Sequence, residues 1–181
     1  MMQDVPRLLV IVLNFRTAEM TLKAAEAGLA DMPAGAEMVI VDNASGDGSD
    51  AVLAREIAAR GWDRDGRVRL ICSAVNGGFG AGNNIGLRAK MSAGRAPEFF
   101  YLLNSDAFPD QGCISTLLDH LQHHPKAGFA GSHVRGDDDA PHVTAFRFPS
   151  VFGEFEGAAR TGVFSRLFST SIVAPPLPQT A

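Results

Sequence analysis

Four short apolar runs alternate with stretches of helical periodicity, and this alternation limits the possible folds more than any other feature of the sequence. The runs cover residues 8–13, 37–41, 68–73 and 99–103. Parallel strands need long crossover connections, which helices usually supply. Four such repeats within about 130 residues are therefore typical of a parallel, Rossmann-like sheet. We predict an α/β fold with a mostly parallel central sheet and a fifth strand over residues 127–134.

Polar residues follow each of the four runs. Asn14 ends the first run, Asp42 ends the second, a glycine-rich segment at residues 76–86 follows the third, and Asp106 follows the fourth. Right-handed crossovers place the carboxyl ends of parallel strands on one edge of the sheet. Ligands of open α/β sheets bind at that edge. The sequence therefore predicts one cleft that all four segments can face.

Three side chains at this edge suggest a nucleotide with its metal ion. Asp42 is placed to accept hydrogen bonds from a base or a ribose hydroxyl, and Phe15 to stack on the base. A core position for Phe15 is an equal alternative. Asp106 would hold a divalent cation that bridges two phosphates, because Mg²⁺ and Mn²⁺ favour carboxylate and phosphate oxygens.

The glycine-rich segment at residues 76–86 is predicted to be a flexible loop that leads into a helix ending near Gly94. Its glycines would let the backbone approach a pyrophosphate closely. Asn83 and Asn84 would then stand at the helix N-terminus, where free amides can bind an anion.

Three motifs resemble those of the inverting family-two glycosyltransferases. The segment VIVDNASGDGS at residues 39–49 is similar to their VVDNASTDGS signature, and NGGFGAGNNIG at residues 76–86 is similar to their NxGFAxGNNxG segment. The segment LLNSDA at residues 102–107 resembles the LLNPDA form of their DXD metal motif. The ordered match runs over residues 8–149 and is closest to the rhamnosyltransferase-like branch.

The resemblance implies a GT-A fold, which is a Rossmann-like three-layer sandwich. It also implies a nucleotide-diphosphate sugar as donor (dTDP-, UDP- or GDP-linked), Mg²⁺ or Mn²⁺ as cofactor, and inverting transfer to a saccharide or lipid-linked acceptor. Asp106 would be the metal carboxylate. By position, the residues implied in nucleotide-sugar binding are Asn14, Phe15, Asp42, Asn43, Gly78, Asn83, Asn104 and Asp106.

The sequence departs from the family pattern in several places. Arg16 replaces a second asparagine, Ser105 replaces a proline, and Asn104 replaces the first acid of a strict DXD. Family members continue with an acceptor-binding half whose acidic motif supplies the general base, and no equivalent follows Gly153. We therefore expect a donor-binding half, with a nucleotide-sugar domain at residues 1–150 and a partial helix and proline-rich tail at residues 151–181.

Composition excludes some partners and locations. The formal net charge of −4 argues against a nucleic-acid binder, which would carry a basic face. No apolar run is long enough to cross a membrane. The two cysteines, Cys72 and Cys113, are too few for a disulfide framework, and we expect both to be buried. Free cysteines are typical of a protein in the reducing cytoplasm. Peripheral attachment to the inner face of the membrane is a further expectation. The phenylalanines after Val151 predict self-association.

Two other functions compete with the transferase hypothesis. The segment at residues 80–86 fits GxGxxxG, which suggests a dinucleotide-binding oxidoreductase. That hypothesis is weaker because the segment follows the third predicted strand, whereas the dinucleotide fingerprint follows the first. A non-catalytic nucleotide-binding module is the second alternative. His120, His123 and His124 are interpreted as a solvated helix end, since they lack the further ligands of a zinc site.

Overall fold

The structure is a computed structural model that describes residues 7–136, 141–142 and 151. The chain divides into two compact units, Met1–Gly128 and Phe129–Ala181. In the first unit four parallel strands form one sheet in the order β3-β2-β1-β4. The strands are β1 (Leu8–Asn14), β2 (Glu37–Asp42), β3 (Val68–Cys72) and β4 (Phe99–Asn104). The first four predicted strands and their parallel arrangement are confirmed.

Helices cover both faces of this sheet. The helices are α1 (Ala18–Asp31), α2 (Ser49–Ala59), α3 (Gly78–Leu87) and α4 (Cys113–His123). One face packs Val10 and Ile40 against residues of α1, α2 and α4, and the other packs Ile11 and Val39 against α3. Apolar residues of β1 and β2 are buried on both faces, as expected for central strands of a parallel sheet. The three-layer α/β sandwich is therefore as predicted.

The order of the strands creates a crevice. The chain runs outward from β1 to β2 and β3, and then returns to the other side of β1 as β4. The direction of winding therefore reverses between β1 and β4. At such a switch point the loops after the two strands separate, which leaves room for a ligand at their carboxyl ends.

The glycine-rich segment is helical from Gly78 onward, so the prediction of a flexible loop is wrong for residues 78–86. Helix α3 begins at Gly78 and ends at Leu87, which places Asn83 inside the helix. Two glycines allow α3 to lie close to β1. A Cβ atom on Gly82 would stand 2.6 Å from Leu13 Cδ1, and one on Gly86 would stand 2.5 Å from Ile11 Cγ2. These glycines therefore serve close packing of a helix on a sheet.

Replacement of Gly86 by alanine tests this packing. Alanine favours a helix over glycine by about 1 kcal/mol, but overpacking against the fully buried Ile11 costs about 1–3 kcal/mol. We expect Gly86→Ala to lower the free energy of unfolding by up to roughly 2 kcal/mol in urea denaturation. Gly80→Ala is the matched control, because nothing lies within 4 Å of the added atom. It should raise that free energy slightly, and a more stable Gly86→Ala protein would contradict the packing role.

Two further predictions from the sequence, the fifth strand and the burial of the cysteines, are wrong. The fifth strand over residues 127–134 is wrong for all but its last residue, since β5 covers Val134–Arg135 and pairs antiparallel with β6 (Pro141–His142). Two glycines within residues 127–134 weaken strand formation there. Cys72 is exposed and Cys113 is half-buried, so their expected burial is also wrong.

The predicted domain boundary at residue 150, the partial helix and the phenylalanines after Val151 lie outside the described residues. No helix in the described part of the chain is both long and apolar enough to cross a membrane.

Candidate functional site

A cleft of about 450 Å³ opens at the carboxyl edge of the sheet. Loops from all four strands contribute to its lining. The lining residues are Leu13, Phe15, Thr17, Asn43, Asn76, Gly78, Phe79, Asn104, Ser105 and Asp106. The strand-end loops therefore surround one cavity.

Strand register places the two predicted acidic residues on the same edge. Asn14 of β1 pairs with Asp42 of β2, and Leu13 pairs with Asn104 of β4. Asp106 follows Asn104 by two residues. Asp42 and Asp106 therefore both lie at the carboxyl ends of strands that flank β1, which a shared ligand site requires.

Asp42 lies in a buried hydrogen-bond network and is not among the cleft-lining residues. Its side chain is 3% exposed. Its Oδ1 accepts hydrogen bonds from Asn14 Nδ2 (2.7 Å) and Ser45 Oγ (2.5 Å), and its Oδ2 accepts one from the Ser45 amide (3.2 Å). A direct contact between Asp42 and a base stays a prediction. It would require the Asp42 carboxylate to replace some of these hydrogen bonds with bonds to the base.

Asn14 is equally enclosed. Its side chain is fully buried, and its Oδ1 accepts a hydrogen bond from Thr21 Oγ1 at 2.8 Å. Its main-chain oxygen accepts one from the Asn43 amide at 2.9 Å. Asn14 thus joins the loops after β1 and β2. Its predicted place in a base pocket remains untested.

A pair of asparagines ties the start of α3 to the loop after β2. Asn43 Nδ2 donates to Asn76 Oδ1 (2.9 Å) and to the Gly78 carbonyl (3.3 Å), while the Gly78 amide also donates to Asn76 Oδ1 (2.9 Å). Asn43 is only 2% exposed, and its Oδ1 has no hydrogen-bond partner among the described residues. Asn76 was not among the predicted site residues, although an asparagine directly before two glycines is a known signal for such a turn.

Asn83 also stabilises α3 and lies away from the cleft lining. It is 5% exposed, and its Nδ2 donates to the Phe79 carbonyl one turn earlier, at 3.0 Å. Phe79 itself lines the cleft and is 61% exposed. The predicted contact of Asn83 with a diphosphate therefore stays a prediction, whereas the first turn of α3 borders the cavity.

Asp106 differs from Asp42 because its carboxylate is exposed and lines the cleft. Within the described residues no side-chain hydrogen bond or ion pair involves it. The described residues hold no group of three or more histidine, cysteine, aspartate or glutamate side chains suited to a metal. A single carboxylate fits Mg²⁺ or Mn²⁺ when phosphates and waters supply the other ligands. The amide of Asn104 offers a further oxygen nearby in the chain.

Two titratable groups at this edge have shifted pKa values. The hydroxyl and amide of Ser49 hydrogen-bond to Asp47 and hold the pKa of its carboxyl below the ordinary value. Cys72 is exposed, but partial desolvation and the nearby Asp42 carboxylate raise the pKa of its thiol. Cys72 therefore stays protonated at neutral pH and is a poor nucleophile. Asp47 stays ionised and supports the start of α2.

Comparison with solved structures shows the GT-A fold. The mannosyltransferase PcManGT from Pyrobaculum calidifontis, solved with GDP-Man and Mn²⁺, is 24% identical, with a TM-score of 0.57 over 74% of this chain and 37% of that chain. S. aureus TarS (residues 1–349) in complex with UDP-GlcNAc is 21% identical, with a TM-score of 0.50 over 66% of this chain and 32% of that chain. The chain thus spans about a third of the length of these structures.

Sequence comparison identifies the family. No match was found among curated proteins. The model of the family described as "Glycosyl transferase family 2" matches residues 9–171, which is most of the 181-residue chain. The three motifs all fall within this match. This chain belongs to glycosyltransferase family 2.

Proposed function

We propose that the cleft binds a nucleotide-diphosphate sugar and that this chain is the donor-binding part of a metal-dependent, inverting glycosyltransferase. The observation that carries the proposal is the convergence of four strand-end loops on one cavity of about 450 Å³ that contains the exposed carboxylate of Asp106. The donor would be UDP-, dTDP- or GDP-linked, and the acceptor a saccharide or a lipid-linked sugar. The rhamnosyltransferase-like branch is proposed from the ordered motif match over residues 8–149 alone.

The divalent cation, Mg²⁺ or Mn²⁺, would be held by Asp106 with help from Asn104. When bound, such a cation stabilises the charge that develops on the departing nucleoside diphosphate. Asp106 is suited to this because it is exposed to the cleft and the structure gives it no competing protein partner among the described residues. The presence of Mn²⁺ with GDP-Man in the related mannosyltransferase structure supports the same chemistry.

The first turn of α3 would bind the diphosphate. The first amides of a helix have no acceptor within the helix and carry partial positive charge. The Gly78 amide is already bonded to Asn76, which leaves the amides of Phe79 and Gly80 for an anion. Asn83 would support this turn through its bond to the Phe79 carbonyl.

The general base that activates an acceptor hydroxyl is proposed to lie outside the described residues. An inverting attack needs a base close to the acceptor. Asp106 is the only titratable group that lines the cleft within the described part of the chain, and its proposed role is to hold the cation. Donor binding is therefore the step for which these residues are equipped.

Thermal unfolding with added nucleotides tests the proposed function. A ligand at one hundred times its Kd stabilises a protein by about 2.7 kcal/mol, which for a chain of this size raises Tm by roughly 5–10 °C. We expect one of UDP, dTDP or GDP to give such a shift with Mn²⁺ and a much smaller shift without it. NAD is the control for the oxidoreductase alternative. A shift with NAD alone, or no shift with any nucleoside diphosphate, would contradict the proposal.

A sugar-transfer or donor-hydrolysis assay then separates an enzyme from a binding module. Metal-dependent nucleotide binding with turnover of the nucleotide sugar would support the transferase. Binding without turnover by the complete natural protein would favour the non-catalytic module.

A further inference from the structure

Phe15 contacts both the cleft and the cationic side chain of Arg16. Phe15 lines the cleft and is 41% exposed. The Arg16 guanidinium carbon lies 5.1 Å from the centre of its ring. Arg16 does not line this cleft but borders a neighbouring one of about 460 Å³, together with Asp47. Arg16 therefore contacts the Phe15 ring without lining the proposed donor site.

Arg16 has an unusual backbone conformation for its residue type. Its φ is +58°, in the left-handed region that long side chains rarely adopt. Its amide donates to Ser45 Oγ, and its Nε donates to the Ser45 carbonyl, both at 3.0 Å. Ala44, beside Ser45, is the second non-glycine residue with positive φ in the described part of the chain, at +55°. Such strain persists where surrounding contacts over-determine it, and it concentrates at functional sites.

Ser45 connects the buried hydrogen-bond network of Asp42 and Asn14 to Arg16. Its hydroxyl donates to Asp42 Oδ1 at 2.5 Å and accepts from Asn14 Nδ2 at 3.1 Å. The Arg16 guanidinium is planar, and its Nε bond limits the orientation of that plane. The chain of contacts thus runs from buried Asp42 through Ser45 and Arg16 to the ring of Phe15.

We propose that Arg16 is a positioning residue that holds Phe15 as a stacking platform for the nucleobase of the donor. This inference rests on the proposed function, because it needs a nucleotide in the cleft. Bases stack on aromatic side chains, and a ring that is already oriented loses less freedom when the base arrives. Arg16 acts through Phe15 and need not touch the ligand.

A double-mutant cycle tests this role. Calorimetric titration with Mn²⁺ and the nucleoside diphosphate that most stabilises the chain would compare the unaltered protein, Arg16→Asn, Phe15→Ala and the double variant. Asparagine tolerates the left-handed conformation, so the loop backbone should be kept. We expect Arg16→Asn to weaken binding roughly three- to fivefold and Phe15→Ala roughly tenfold or more. The double variant should bind like Phe15→Ala, because Arg16 has no platform left to position.

Pyrophosphate with Mn²⁺ is the second ligand, since it has no base to stack. Its affinity should be unchanged by Arg16→Asn, whereas a general distortion of the site would weaken it. Arg55→Asn, on the exposed face of α2, is the matched control and should leave both affinities unchanged. Additive losses in the double variant, an equal loss of pyrophosphate binding, or no effect of Arg16→Asn would overturn the inference alone. No nucleotide binding by the unaltered chain would overturn the proposed function as well.

Discussion

Asp106→Asn is expected to abolish most metal-dependent nucleotide binding while the fold stays intact. Asparagine keeps the shape of the side chain but removes the charge that attracts a divalent cation. Loss of groups that merely orient metal ligands costs about 10- to 100-fold in metal affinity, so loss of the ligand itself should weaken Mn²⁺-dependent binding at least tenfold. Because Asp106 is exposed, the free energy of unfolding should change by no more than about 0.5 kcal/mol.

Calorimetric titration of the nucleoside diphosphate, with and without Mn²⁺, measures this effect. Asp119→Asn is the matched control, since Asp119 is an aspartate on α4 with 71% of its side chain exposed and does not line the cleft. The control should bind like the unaltered protein. Equal affinity of Asp106→Asn and the unaltered chain, or an equal loss in the control, would refute the metal role of Asp106.

Asp42→Ala should have the largest effect on stability. The substitution removes the carboxylate that accepts three hydrogen bonds. The donors of Asn14 and Ser45 then lose this acceptor in a buried site. A buried donor without an acceptor costs about 1–3 kcal/mol. We expect the free energy of unfolding to fall by about 3 kcal/mol or more in urea denaturation.

Asp50→Ala is the control variant for the stability measurement on Asp42→Ala. Asp50 is an exposed acid in the first turn of α2, where its charge contributes about 0.3–1 kcal/mol. If the two variants lose similar stability, the network around Asp42 does not hold the two loops together. A much larger loss for Asp42→Ala would assign Asp42 a structural role that requires no direct contact with a ligand.

The sheet could be predicted because its signal is local. Runs of apolar residues such as Val10–Ile11–Val12 end at polar side chains, and the alternation of strands with helices leaves few possible topologies. The position of Asp106 at the cleft follows from the same reasoning, since it depends only on a strand end and a parallel sheet. Each of these steps requires no knowledge of which side chains are buried.

The features that the sequence did not predict correctly depend on tertiary contacts. Glycines in residues 76–86 read as loop residues, but Gly82 and Gly86 are needed for the close approach of α3 to β1. Asn14 and Asp42 are identified as strand-end residues by sequence, whereas their mutual hydrogen bond arises from the register of β1 with β2. The left-handed backbone of Arg16 has no signal in its residue type. Such features require the fold before they can be seen.

Anomalous scattering from crystals grown with Mn²⁺ and a nucleoside diphosphate tests the central claim most directly. We expect one manganese peak beside the Asp106 carboxylate, with the diphosphate between the manganese ion and the first turn of α3. A nucleotide bound at the opposite edge of the sheet, such as the cavity that Trp62, Arg64 and Arg67 line, would contradict it. So would a nucleotide in the cleft whose manganese ion lies away from Asp106.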